Sequence, residues 1–339
     1  MKISVVIIGY NIEKYIRRCL DSVAQQNYKD YEVIFVNDGS TDRTMEIAGE
    51  YQERFECLKL VDKKNGGIVS ARKAGVRVAE GEYVIFIDGD DYVNDDMLMN
   101  FAKAEEEHNE YDIIISDHFE QRPSGKTLER KSNIPYGELK GDEFIKGILD
   151  GNLNHFMVNK LYRREFLLRA EYLRYPNITI AEDLLSNSVF GTYRPKVYYA
   201  EMTNYYYQFN ESGVSRNGEK RIVDQQIRAI RLLSKEIQRR TGNRYKEYLD
   251  FQWYLFAFGY LQTGYSHEFK KYLINCCGRQ IFSVKTSSLV KNMPVNISLI
   301  YGKTMIYVYL KMPWFSSVIN TVTRKMIDVL NHYHILQNY

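Results

Sequence analysis

Through residue 117 the chain alternates short apolar runs with stretches in which apolar side chains recur every three or four positions. The runs at 3–8, 32–36, 58–61, 83–87 and 112–116 have the length and β-branched content of buried strands. Between the first two, Ile12, Tyr15, Ile16, Cys19, Leu20 and Val23 form one helical stripe. Asp42, Gly67 and Asn94 mark later helix starts. Strand followed by helix, repeated, predicts a parallel sheet covered by helices. Residues 118–150 carry Pro123, Gly125, Pro135, Gly137 and Gly141 among polar positions and read as a connector carrying function or edge structure. Beyond 217 the period turns helical, with Ile222, Ile227, Ile230, Leu233 and Ile237 on one stripe and an aromatic-rich stretch at 245–273. The predicted division is an α/β unit over 1–217, with its own boundary near 117, and a helical region over 218–339.

Composition narrows the classes. Of 339 residues, 45% are hydrophobic and 26% charged, the balance of a folded globular chain rather than a disordered one. Forty-six basic against 43 acidic residues leave a net charge of +3, which gives no case for nucleic acid. The 29 tyrosines suit stacking on sugars or bases, but filling the core is their more ordinary use. Cys19, Cys57, Cys276 and Cys277 have no zinc spacing and are expected to be reduced. No histidine sits in a metal or triad spacing. Lys2 is followed directly by the first strand, so no leader is expected and a cytoplasmic start is predicted. The best apolar stretch, 297–310, is interrupted by Lys303, too short a run to span a membrane. Over 297–325, Tyr301, Tyr307, Trp314 and Phe315 interleave with Lys303, Lys311, Arg324 and Lys325. That pattern suits a helix lying on a membrane surface, or equally one packing on the rest of the chain or on a second subunit.

Three polar loops follow predicted strands. Phe86-Ile87-Asp88-Gly89-Asp90-Asp91 ends an apolar run in three carboxylates, and hard oxygen ligands at a strand's carboxyl end suit Mg²⁺ or Mn²⁺ bridging a diphosphate. A helix cap or polar turn is the plain structural alternative. Asn37-Asp38-Gly39-Ser40-Thr41-Asp42 places Asp38 to accept hydrogen bonds from a base imide or a ribose, or to form an Asx turn. Asn65-Gly66-Gly67 opens a helix containing Arg72, offering N–H groups and a guanidinium to an anion.

Together with Ile8-Gly9-Tyr10-Asn11, these segments resemble in order and spacing the family 2 glycosyltransferases of the GT-A fold. The resemblance is specific over about residues 1–115, weaker to about 216, and absent as a motif match beyond. It implies a Rossmann-like, mostly parallel sheet with helices on both faces, and a metal-assisted transfer from a uridine diphosphate sugar. Its implied donor site comprises Ile8, Tyr10, Asp38 on the uracil, Asn65, Gly67, Arg72, Asp88, Gly89 and Asp90. Asp90 and Asp88 would hold Mn²⁺ or Mg²⁺. Departures stand at Ile8, Asn37 and Lys73, where relatives often have Pro, Asp and Asn. They bear on uridine against guanosine or thymidine and remove no carboxylate.

Ala181-Glu182-Asp183 looks like the family's acidic pair on the acceptor side, which makes Asp183 the candidate general base. An acceptor hydroxyl is a poor nucleophile, so direct inversion needs a carboxylate to take its proton. Favourable charge in a first helical turn is the structural alternative. Residues 159–164, Asn-Lys-Leu-Tyr-Arg-Arg, resemble the segment that helps form the acceptor side, or read as an exposed basic helix end. Residues 205–216 resemble a flexible segment that folds over the donor, with Ser215 and Arg216 for the leaving diphosphate.

The expected function is therefore inverting, metal-dependent hexosyl transfer to a saccharide acceptor, lipid-linked, in bacterial surface or capsule polysaccharide synthesis. The expected location is cytoplasmic, peripheral at the membrane. A sugar-phosphate nucleotidyltransferase would show a glycine-rich, Arg-containing loop after the first strand, and Gly9-Tyr10-Asn11-Ile12-Glu13 is not one. A nucleotide-sugar-binding scaffold would have no use for Asp183.

Overall fold

The computed structural model describes residues 2–108, 111–170, 178–208, 210 and 219–262. The chain divides into compact units at Met1–Leu233 and Ser234–Tyr339.

In the first unit, four strands run parallel in the order β3 (Leu58–Asp62), β2 (Tyr31–Asn37), β1 (Ile3–Gly9), β4 (Tyr83–Asp88). Every residue of β1 is buried, as a strand covered on both faces requires. One face presents Ile3, Val5, Ile7, Val33, Phe35 and Ile85 to α1 (Ile16–Ala24), which answers with the predicted stripe Ile16, Cys19, Leu20 and Val23. On the other face lies α3 (Ile68–Val78), packed so close that a Cβ on Gly75 would come within 2.3 Å of Val6. α2 (Thr44–Gly49) and α4 (Met97–His108) complete this half.

The second half of the sheet is mixed. β9 (Lys160–Arg163) inserts antiparallel between β4 and β6 (Ile113–Gln121), and β10 (Val197–Gln208) runs parallel to β6. β1, β2, β3, β4, β6 and β10 thus share one direction, and β9 opposes them. The short β5 (Tyr92–Val93) and β8 (Gly137–Leu139) pair with β10, and β7 (Thr127–Arg130) with β6, all antiparallel. Helices α5 (Glu143–Asp150), α6 (Arg164–Arg169) and α7 (Glu182–Gly191) follow in the connections.

The connector at 118–150, read as carrying function or edge structure, contains the end of β6, the short strands β7 and β8, and α5. Two expectations change here. Residues 160–163 form a central strand, not an exposed basic helix end, and Lys160 is fully buried. Residues 205–208 are strand, with Tyr205 buried, so the flexible reading does not hold for them. Ser215, Arg216, Cys276, Cys277 and the stretch 297–325 lie outside the described residues.

Of the helical region, α8 (Glu219–Thr241) and α9 (Lys246–Gln262) are described. The predicted stripe Ile222, Ile227, Ile230, Leu233 and Ile237 is buried along α8, and the boundary between the units falls within that helix. In α9, Leu249, Phe251 and Trp253 are buried. No described helix is long and apolar enough to cross a membrane.

Candidate active site

β1 pairs with β2 on one side and β4 on the other, so the chain's strand order reverses at β1 and leaves a crevice at the carboxyl ends. The register aligns Gly9 with Asn37 and Ile8 with Asp88, which brings the predicted loops of β1, β2 and β4 side by side. The first two are stitched together. Asn11 Oδ1 accepts from Thr41 N–H at 2.8 Å, Ser40 Oγ accepts from Asn11 N–H at 3.0 Å, and Asp42 Oδ2 accepts from Glu13 N–H at 3.0 Å. Asp42 Oδ1 also receives Thr44 N–H at 3.0 Å, at the start of α2. Tyr10, 47% exposed, stands at the rim and Ile8 lies in the floor.

Asp38 is buried, and its carboxylate organises the neighbouring loop. Oδ1 accepts from Gly66 N–H at 3.0 Å and from Lys63 Nζ, and Oδ2 from Gly67 N–H at 2.8 Å. Gly39 is required beside it. Its φ is +77°, and a Cβ there would lie 2.6 Å from Asn65 N. The Asn65 loop and the Asp38 loop are therefore one construction, with Asn65 exposed and Gly67 capping α3.

Arg72, on the second turn of α3, is 1% exposed and points into the end of the sheet. Its Nη2 lies 3.2 Å from Asp88 Oδ1, and its Nη1 donates to Asp183 Oδ1 at 2.5 Å and sits 3.9 Å from Glu182 Oε1. Arg72, expected to line a nucleotide pocket, spans the donor-end carboxylate and the candidate base. Asp183 is on the first turn of α7, behind Ala181, whose φ of +61° is unusual for a residue with a Cβ. That turn aims Glu182 and Asp183 together at the guanidinium. Asp183 Oδ2 also accepts from Met157 N–H at 3.0 Å. Burial, then the Asp183 charge, pushes the Glu182 carboxyl up.

The Asp88–Asp91 loop is clamped by β10. Tyr205 Oη donates to Asp91 Oδ2 at 2.5 Å and accepts from Asp88 N–H at 3.2 Å, while Gln208 N–H reaches Asp91 Oδ1 at 2.7 Å. Asp91 is thus committed to holding the loop, and burial raises its pKa. Asp90 accepts from Asn210 Nδ2 at 2.9 Å, and its backbone carbonyl from Arg18 Nη2 at 3.1 Å. Gly89 has no room for a side chain, because a Cβ would meet Ile12 Cδ1 at 2.4 Å and Ile8 O at 2.9 Å. Asp88 is pushed up to about 6 by burial and by the Asp90 and Asp183 charges, against the pull of Arg72. Among the described residues no three His, Cys, Asp or Glu side chains form a metal cluster. Asp88 and Asp90 fit a cation as a partial set. They are hard oxygen donors on one loop, their mutual repulsion is what a divalent ion relieves, and phosphate oxygens would fill the remaining positions.

Lys160 and Tyr205 lie in the segments 159–164 and 205–216 that the sequence marks, without individual roles there, and Met157 lies in neither. Tyr205 had a usable signal in its place within a β-prone run of three tyrosines at 205–207, of which it is the buried member. Met157 had none, because it contributes a backbone amide.

Residues 4–169 match the sequence profile described as "Glycosyl transferase family 2". The glycosyltransferase EpsJ of Bacillus subtilis is 34% identical over 184 residues, which are 53% of this chain and 53% of that protein. The putative glycosyltransferase EpsH of the same organism is 29% identical over 226 residues, 66% of this chain and 65% of that one. The matched part thus spans about half to two thirds of these curated relatives. A crystal structure of Staphylococcus aureus TarS 1-349 in complex with UDP-GlcNAc superposes with a TM-score of 0.66 at 20% identity, covering 98% of this chain and 92% of that one. This likeness shows that the two share the fold.

Proposed function

Residues 4–169 belong to glycosyl transferase family 2, and on that premise we propose that the chain transfers a hexose, with inversion, from a uridine diphosphate sugar to an acceptor hydroxyl. One observation carries the reading. Arg72 joins Asp88, at the carboxyl end of β4, to Asp183, at the start of α7, so a donor-end carboxylate and a carboxylate suited to proton removal share one guanidinium. The two are 95 positions apart in the chain, and nothing in stability alone calls for gathering such charges at a sheet's crevice.

In the proposed step the acceptor oxygen bonds to the anomeric carbon while the bond from that carbon to the diphosphate breaks. Asp183 takes the hydroxyl proton, and the nucleoside diphosphate leaves. Each Asp183 oxygen accepts one hydrogen bond in the resting structure and retains a lone pair for the hydroxyl. Asp38, Tyr10, Asn65 and Gly67 would surround the base and ribose, with Asp88 beside the ribose. Asp90 and Asp88 would hold Mn²⁺ or Mg²⁺, which when bound supplies positive charge to the leaving diphosphate. Ser215 and Arg216 would assist there.

The UDP-GlcNAc bound by TarS supports uridine as the base. TarS is by name a poly(ribitol-phosphate) β-N-acetylglucosaminyltransferase, which supports a bacterial surface polymer as acceptor. We place the enzyme at the cytoplasmic face of the membrane, with the region from 218 onward as membrane or subunit contact. Calorimetry with uridine, guanosine and thymidine diphosphates, with Mn²⁺ or with chelator, tests the donor site. Metal-dependent binding of the uridine nucleotide, lost in Asp90→Ala, is expected. Failure of all three nucleotides to bind would overturn the reading.

A further inference from the structure

Lys160 lies in the middle of the sheet with no exposed surface. It makes no ion pair among the described residues. Its ammonium donates instead to three neutral oxygens, Asn154 O at 2.8 Å, Phe156 O at 2.6 Å and Asn159 Oδ1 at 2.9 Å. Burying a cation this way costs more than burying an aliphatic side chain of the same length, and no partner charge touches it to offset the cost. Two of its three acceptors are carbonyls of the loop between α5 and β9. Asn187, on α7, grips the same loop by donating to His155 O at 2.8 Å. Three successive carbonyls, 154 to 156, are therefore held by buried donors.

The consequence falls on the next amide. Phe156 C=O and Met157 N–H belong to one planar trans peptide, so fixing the direction of the carbonyl fixes that of the N–H on its opposite side. That N–H is the one donating to Asp183 Oδ2 at 3.0 Å. Ammonium, peptide and carboxylate form a chain of hydrogen bonds in one direction, in which each bond polarises the next. We infer that Lys160 is a positioning residue for Asp183, acting through the Phe156–Met157 peptide to aim and hold the carboxylate that removes the acceptor's proton. Burial lowers the Lys160 pKa to about 7, and the Asp183 charge acts in the opposite sense, in keeping with a field felt across the peptide. The inference rests on Asp183 being the base.

The test is a double-mutant cycle on the full chain, reading kcat and the donor KM, with calorimetric binding of uridine diphosphate as the check on folding. Lys160→Met is expected to lower kcat by about 10²-fold with the donor KM within about twofold, as for a misaimed catalytic group. Placed on Asp183→Asn it should cost nothing further, because its effect passes through that carboxylate. If Lys160→Met does not fold, Asn187→Ala, which frees the His155 carbonyl, is expected to show the same split and the same non-additivity. Losses that multiply in the double variant, or a donor KM that rises in step with the fall in kcat, would overturn the inference alone. An Asp183→Asn enzyme with unchanged turnover would overturn the base assignment and the inference together.

Discussion

At the amino ends of the parallel strands the buried carboxylate of Glu32 is met by three donors on one oxygen and by an ammonium beside the other. Ser4 Oγ, Glu80 N–H and Gly81 N–H donate to its Oε1 at 2.7, 2.7 and 3.0 Å, and Lys59 Nζ lies 2.8 Å from its Oε2. Burial opposes its charge, but Lys59 and these donors outweigh it and bring the pKa down to about 2. At the carboxyl ends of the same strands, Asp88, Glu182 and Asp183 gather around Arg72, and burial and mutual repulsion push Asp88 and Glu182 up. The same chemical group is thus a source of stability at one end and a cost at the other. The difference is whether donors outnumber charges. Folding favours the first arrangement, and an excess of carboxylate at a crevice is useful to a site that receives a cation and a proton.

The sharpest way to separate the two ends is to compare turnover with stability in matched variants. Asp183→Asn is expected to lower kcat by about 10²–10⁴-fold while uridine diphosphate affinity stays within about twofold, measured by steady-state assay and calorimetry. Glu32→Gln should do the reverse. It removes the charge beside Lys59 and is expected to cost about 3 kcal/mol, seen as a fall of about 5–10 °C in the melting midpoint, with nucleotide affinity unchanged. A Glu32→Gln protein as stable as the parent would erase the contrast.

Acid titration probes the same carboxylate without mutation. A group whose folded pKa is depressed stabilises the fold above its unfolded value, here near 4.5, and that contribution drains away as pH falls towards 2. Denaturant midpoints taken between pH 6 and 2.5 should therefore fall more steeply in the parent than in Glu32→Gln. The smallest effect is expected at the other end. Asp88→Asn relieves a crowded carboxylate while Asp183 still pairs with Arg72, so the melting midpoint should hold or rise by a degree or two even as metal-dependent nucleotide binding is lost. A drop of several degrees would show that Asp88 is structural after all.

The alternation of apolar runs with the helical stripe of Ile16, Cys19, Leu20 and Val23 was enough to read the parallel half of the sheet, because strands buried on both faces and helices buried on one leave unambiguous periods. The loops after β1, β2 and β4 were equally legible, since each polar cluster directly follows an apolar run. β9 was not. It is a four-residue strand holding a buried lysine between two antiparallel neighbours, and only β4 and β6 make that placement favourable. The end of β10 at 205–208 was no plainer, as its three tyrosines suit core and surface alike and only Tyr205 is buried.

What the local sequence determined, then, was chemistry at strand ends, because hydrophobic period and the abrupt onset of Asp, Asn and Gly are properties of neighbouring residues. Only the tertiary structure decided how those residues are used. Arg72 bridges Asp88 to Asp183, Asp38 anchors the Gly66-Gly67 loop, and a backbone amide from Met157 reaches the candidate base. Those partners lie 111, 29 and 26 positions apart. Contacts at such separations depend on sheet order and helix docking, which no local run of residues encodes.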